Sequence, residues 1–285
     1  MLEKNWMESR YTIGSLVARS AAMQRLIKQA GLHLHKDSPL LIVGEPGTGK
    51  SVLARAIHNS SLRSNRHFVS ISASRLTPES LDKVLFGTMD GEQGAMSRSV
   101  GGSLVISDLE ELAPLAQERL TQVLDKDEFS TARGERRSLD ARLMFTGNSG
   151  ELATQLSRGV FSESLYNRIS ETVLSMPTLA ERNADIPYLV ADVLQSFASR
   201  ERVPRPSVPY HYMELLTRVE WPENVRQLRN HVESVMSLSN GQFDPAILLA
   251  HFEEIESPQT LKSLAHDLLQ RLVNSPQTAT ASATN

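Results

Sequence analysis

"PLLIVGEPGTGKSVLARAIH", residues 39–58, decides the fold. Four apolar residues, Leu40 to Val43, run into a glycine-rich turn, and the turn runs into an amphipathic stretch. The turn is Gly44, Glu45, Pro46, Gly47, Thr48, Gly49, Lys50 and Ser51, a complete G-x-x-x-x-G-K-[ST] pattern. Gly44, Gly47 and Gly49 allow the backbone to bend tightly and aim its N–H groups at phosphate oxygens. A helix starting near Lys50 adds the positive end of its dipole. Lys50 is expected to reach the β- and γ-phosphates of ATP, and the Ser51 hydroxyl to complete a Mg²⁺ shell. A chance glycine turn would not need the strand before it or the helix after it.

Outward from this stretch, "HFVSIS" (67–72), "SLVIS" (103–107) and "RLMFTG" (142–147) are further short apolar runs separated by helical segments. That alternation predicts a parallel sheet covered on both faces, an α/β αβα sandwich. Upstream, "SAAMQRLIKQAGLHL" places Met23, Leu26, Ile27, Ala30 and Leu34 on one helical face. From about Asn183 the pattern becomes all-helical, with segments expected at 184–200, 208–219, 224–239 and 245–254. The tail carries an apolar stripe between Leu261 and Leu272 and then "NSPQTATASATN", which has nothing to bury. The expected domains are therefore 1–182 (nucleotide-binding αβα), 183–255 (helical lid) and 256–285 (amphipathic helix and disordered tail).

Composition narrows the function classes. The chain has 285 residues, a net charge of −3 and no cysteine. Disulfides and thiolate metal sites are ruled out. No apolar run approaches the ~18 residues of a membrane span, and "MLEKNWMESRYT" has no apolar signal core, so a cytoplasmic protein is expected. The basic excess of a protein living on phosphate backbones is missing. "RGERR" (133–137) is a short basic cluster, read first as a solvated turn. The eight histidines show no metal-ligand spacing.

The chain resembles the AAA+ central domain of sigma-54-dependent transcription activators, the NtrC-type enhancer-binding proteins. The resemblance rests on "GEPGTGKSVLARAIH", "LFG" at 85–87, "GGSLVISDLEEL", "VFSESLYNRI", "MPTLAERNADIP" and "WPENVRQLRN", and spans residues 12 to 254. It implies a P-loop AAA+ fold with a helical lid, working as a ring with ATP sites between subunits. It also implies site residues. Ile13 and Gly14 match the segment beside the adenine, and Asn148 the sensor I asparagine. Arg168 matches the second of two arginines that reach a neighbour's phosphate, and Arg226 the lid arginine, sensor II. Each has a plainer reading: Asn148 as a cap, Arg168 as a solvated helix residue, Arg226 as a partner of Glu223.

Departures from the family pattern are as informative. The family's surface loop, spelled GAFTGA, follows "LFG", yet only the 13 residues "TMDGEQGAMSRSV" separate Gly87 from Gly101. The chain is in this respect somewhat like the TyrR-type regulators, which lack the loop and work without sigma-54. In "GGSLVISDLEEL" the family's Asp–Glu pair falls on Ser107 and Asp108. A one-residue slip would place Asp108 in the magnesium role and Leu109 in the base role, because successive strand residues face opposite ways. Either register supplies one carboxylate, so Asp108 is the candidate for base and metal ligand alike, with Ser51 as the other metal ligand. The asparagine that holds the catalytic glutamate in relatives falls on Ser72, and the first trans arginine on Ser162. A general base is typically worth about 10²–10⁴ in rate and an arginine finger about 10³–10⁵.

Two functions follow. One is an ATP-binding regulator in transcription control with weak or absent hydrolysis, partnering itself or a related activator in a ring or partial ring. The other is a working ATPase that remodels a transcription complex with Asp108 as base. No helix-turn-helix is visible after residue 254, so DNA binding by this chain alone is not expected.

Overall fold

A computed structural model describes residues 11–239 together with Phe243. The readings for residues 245–254 and for the tail helix and tail end fall outside the described residues. The chain divides between Glu181 and Arg182 into two compact units.

The first unit is a five-stranded, all-parallel sheet. Its strands are β1 (Leu40–Val43), β2 (Phe68–Ser72), β3 (Ser103–Ser107), β6 (Arg142–Gly147) and β7 (Val173–Ser175), in the order β2-β3-β6-β1-β7. A separate antiparallel hairpin pairs β4 (Glu128–Ser130) with β5 (Arg136–Ser138). β7 has no counterpart in the sequence reading. It is three residues long with only Leu174 buried, too short to register as an apolar run.

Period-2 alternation gives each face of the sheet its own core. On one face Leu41, Leu104, Ile106, Leu143 and Phe145 pack under α5 (Pro114–Lys126) and α7 (Glu163–Ile169), through Leu120, Leu165 and Ile169. On the other, Leu40, Ile42, Val105 and Met144 meet α1 (Ala21–Gly31) and α2 (Lys50–Asn59), through Met23, Leu26, Leu53 and Ile57. Each such leucine or isoleucine stabilises the fold by about 1.5–3 kcal/mol. Three further short helices, α3 (Leu81–Phe86), α4 (Ala95–Arg98) and α6 (Ser149–Ser157), complete the unit.

α1 is capped by Ser20, whose side chain accepts from the Met23 N–H at 3.3 Å. It stops at Gly31, short of Leu34, which was expected on its face. Arg142 accounts for the early stop. This buried side chain donates through Nη2 to His33 O (2.6 Å) and through Nη1 to Leu34 O (3.2 Å), pinning the chain out of helix.

The second unit contains α8 (Ile186–Glu201), α9 (Tyr210–Arg218) and α10 (Asn224–Leu238). α8 packs against both of the others. A buried ion pair, Arg182 Nε to Asp185 Oδ2 at 2.9 Å, precedes α8. Trp221 Nε1 donates to Leu216 O at 3.0 Å and sets the turn between α9 and α10.

Candidate nucleotide site

In open parallel sheets ligands bind beyond the carboxyl ends of the strands. Three of the sequence-predicted groups of the first unit lie at that edge. The loop Gly44–Ser51 leaves β1, Asp108 follows β3 and Asn148 follows β6.

The loop has the conformation that its glycines were read to serve. Gly47 and Gly49 have φ of 75° and 106°, and Gly49 caps α2. A Cβ on Gly44 would lie 2.9 Å from Met176 Cβ and 3.0 Å from Met176 O, so only glycine fits there. Lys50 Nζ donates to Gly44 O (2.8 Å) and Glu45 O (2.9 Å), folding its charge over the loop. Thr48 is buried and donates to Glu45 O at 2.8 Å, closing the turn from below. Glu45 and Pro46 are exposed on its crest. The Ser51 hydroxyl is exposed in the first turn of α2 and makes no hydrogen bond among the described residues.

Ile13 and Gly14 lie beside this helix. The Ile13 N–H donates to Ser60 Oγ at 2.9 Å, and Ile13 packs into the core shared by β1 and α2. Asn59 Nδ2 donates to Tyr11 O at 2.7 Å, holding the same segment. Gly14 is exposed, with open space where a side chain would project.

Asp108 has φ 59° and ψ 51°, a left-handed residue directly after β3. Its Oδ2 accepts from Ser107 Oγ (3.0 Å) and from Ser72 Oγ (3.1 Å). Ser72 and Ser107 are register partners on adjacent strands, which is why both reach the same oxygen. Ser72, read from the sequence as a lost holding residue, therefore still holds the acid.

The sequence reading found one carboxylate in the Ser107–Asp108 pair, and the structure brings another acid near the strand ends. After Asp108 a 3-10 turn, Leu109–Glu111, buries Leu109 and leaves Glu111 exposed. Glu110 folds back over the end of β6, where its Oε2 accepts the Asn148 N–H at 2.9 Å. Strand positions alone give no sign of it; the signal available was a second acid, two residues past Asp108, in "SDLEEL".

Asn148 caps α6, its Oδ1 accepting from the Gly150 N–H at 3.0 Å. Ser162 likewise caps α7, accepting from the Leu165 N–H at 3.3 Å. Arg168 is bound within its own subunit, through Nε to Asp125 Oδ1 (2.9 Å) and Nη2 to Leu124 O (3.0 Å). Arg226 is exposed on α10 and does not pair with Glu223, which corrects the plainer reading of that arginine.

The segment after α3 is a tight turn. Thr88 N–H donates to Glu92 O at 2.9 Å and Gly91 N–H to Thr88 O at 3.1 Å. Gly87, at φ 96°, makes it possible, since a Cβ there would lie 2.3 Å from Glu92 O. From the basic hairpin, Arg133 Nε braces this turn through Met89 O at 3.2 Å.

Residues 16–175 match the family model described as the sigma-54 interaction domain, and residues 180–275 that of the AAA+ ATPase lid domain. The chain belongs to the sigma-54 interaction AAA+ family. Among relatives of this AAA+ chain, the transcriptional regulatory protein ZraR of Escherichia coli K12 is 32% identical over 237 residues, covering 80% of this chain and 54% of that protein. The nitrogen assimilation regulatory protein NtrX of Azorhizobium caulinodans is 34% identical, covering 82% of this chain and 52% of its own. The crystal structure of NtrX from Brucella abortus in complex with ADP superposes with a TM-score of 0.78 at 29% identity, covering 95% of this chain and 64% of that one. Its complex with ATP gives 0.76, again at 29% identity, with 95% and 63% covered. This AAA+ chain spans about half the length of the curated relatives it matches.

Proposed function

We propose that this chain is an ATP-binding AAA+ regulator of transcription with impaired hydrolysis. ATP sits on Gly44–Ser51 with its adenine beside Ile13 and Gly14. The observation that carries this reading is a complete phosphate loop in a sheet whose other catalytic positions serve local structure. Ser162 caps a helix and Arg168 is held by Asp125. Mg²⁺ fits the donor set, because a hard cation takes oxygen ligands, and the Ser51 hydroxyl and the carboxylates at the strand ends are all oxygens. Bound there, the ion supplies charge neutralisation to the phosphates.

The same reading covers the surface loop. The tight turn at Thr88–Glu92 takes the place of the GAFTGA contact, so the chain acts, like the TyrR-type regulators, without remodelling sigma-54 directly. Its partners are copies of itself or a related activator, in a ring or partial ring that meets the transcription machinery.

A second reading, a working ATPase with Asp108 as base, draws on the two serine hydroxyls that position Asp108. One experiment separates them: ATP turnover across a protein concentration series, beside equilibrium binding of a fluorescent ATP analogue, with Lys50→Ala as control. Binding lost in Lys50→Ala, with parent turnover no higher than that control, is the expected result. Turnover that climbs with concentration and vanishes in Lys50→Ala selects the ATPase.

A further inference from the structure

The carboxylates of Asp108 and Glu110 lean in opposite directions from the end of β3. Asp108 is tied by Ser72 toward β2, the sheet edge remote from the phosphate loop. Glu110 is tied toward β6, which lies between β3 and β1. With strands about 4.8 Å apart, the two tethers place Glu110 one strand from the root of the loop and turn Asp108 the other way.

Gly147 links Glu110 to the loop. A Cβ on Gly147 would lie 3.1 Å from Glu110 Oε2, and Gly147 O accepts the Gly44 N–H at 3.2 Å. The first residue of the phosphate loop and the Glu110 carboxylate thus share one neighbour. The Glu110 main chain is fixed as well, its carbonyl accepting from Gln155 Nε2 at 2.8 Å. Only Oε2 is used in the tether; Oε1 accepts no hydrogen bond among the described residues.

We propose that Glu110, rather than Asp108, is the acid on the phosphate-loop side of the site, and that it couples nucleotide affinity to Mg²⁺. The proposal rests on the nucleotide site put forward above and assigns a residue in it. Mg²⁺ is usually held by one or two carboxylates together with phosphate oxygens and several waters. Glu110 offers a fixed carboxylate with one oxygen open, beside the loop that carries Ser51. Ser107, at the strand position where the family has its magnesium-side aspartate, holds Asp108 instead.

The competing account is that Glu110 only caps α6. Glu110→Gln separates the two, because the amide oxygen still accepts from Asn148 N–H while the charge is gone. The measurement is the affinity of a fluorescent ATP analogue with Mg²⁺ and with EDTA, for the parent, Glu110→Gln, Glu110→Asp, Asp108→Asn and Lys50→Ala, each with a thermal melt. The parent is expected to bind more tightly with Mg²⁺, and Glu110→Gln to lose about tenfold or more of that gain. Affinity in EDTA should stay within about twofold, Glu110→Asp should keep more of the gain than Glu110→Gln, and Asp108→Asn should lose less of it than Glu110→Gln. A gain retained in Glu110→Gln, lost in Asp108→Asn, or absent from the parent overturns the assignment. Should Glu110→Gln fail to fold, Asp108→Asn decides: a lost gain there overturns the assignment. Parent binding that Lys50→Ala leaves unchanged would sink the nucleotide site itself, and the assignment with it.

Discussion

Asp108 occupies a backbone conformation that few residues other than glycine adopt, at φ 59°. Aspartate is among those that tolerate it, since its short polar side chain bonds locally. Here the local bonds come from Ser72 and Ser107 and converge on one oxygen. Hydrogen bonds to a charged group contribute about 1.5–3 kcal/mol each, less where solvent reaches them. A double-mutant cycle of Ser72→Ala and Asp108→Ala, read by urea unfolding, is expected to show a coupling of about 0.5–1.5 kcal/mol. Additive effects would mean that the serine and the acid do not cooperate in solution. The sequence announced Asp108 but not its setting. A serine in place of an asparagine reads as a loss until the register of β2 against β3 puts the hydroxyl on the carboxylate. Glu110 was hidden for the opposite reason, because strand alternation says nothing about a residue returned to the sheet by a 3-10 turn.

At the scale of elements, the strands that carry the site were legible because each is an unbroken apolar run, and β1, β3 and β6 begin and end where those runs do. β7 has one buried residue, and the end of α1 depends on Arg142, more than a hundred positions away, so neither leaves a local signal. The seat of α2 on the sheet has a pH signature. His58 is buried, with Nδ1 2.9 Å from Ser103 Oγ and its ring edge on Phe68. Burial, and then the nearby charge of Arg55, lowers its pKa from 6.5 to about 4. The neutral imidazole is the folded form, whereas an unfolded chain takes up a proton below about 6.5. Stability is therefore expected to fall as pH drops from about 6.5 to 4, with no further loss from this group below that. His58→Asn should flatten that limb in urea unfolding across the pH range. An unchanged slope would show that this histidine is protonated at no cost in the folded state.

For the molecule as a whole, the proposed self-assembly meets an obstacle built into its own surface. The arginine proposed to reach a neighbour, Arg168, is engaged at home by Asp125 and the Leu124 carbonyl. An exposed ion pair of this kind is worth about 0.2–1 kcal/mol. That is enough to shift an assembly midpoint but too little to forbid assembly. Breaking the pair while leaving the arginine intact removes the obstacle. Asp125→Asn is thus expected to lower the protein concentration at which an ATP analogue drives association by up to about fivefold, the equivalent of 1 kcal/mol. Sedimentation velocity over a concentration series reads the midpoint directly, and Arg168→Ala serves as the opposing control. If Asp125→Asn leaves the midpoint where it was while Arg168→Ala raises it, the arginine joins subunits without first leaving Asp125. If neither variant moves it, Arg168 takes no part in assembly. The intact phosphate loop then serves a chain whose subunits meet through another surface.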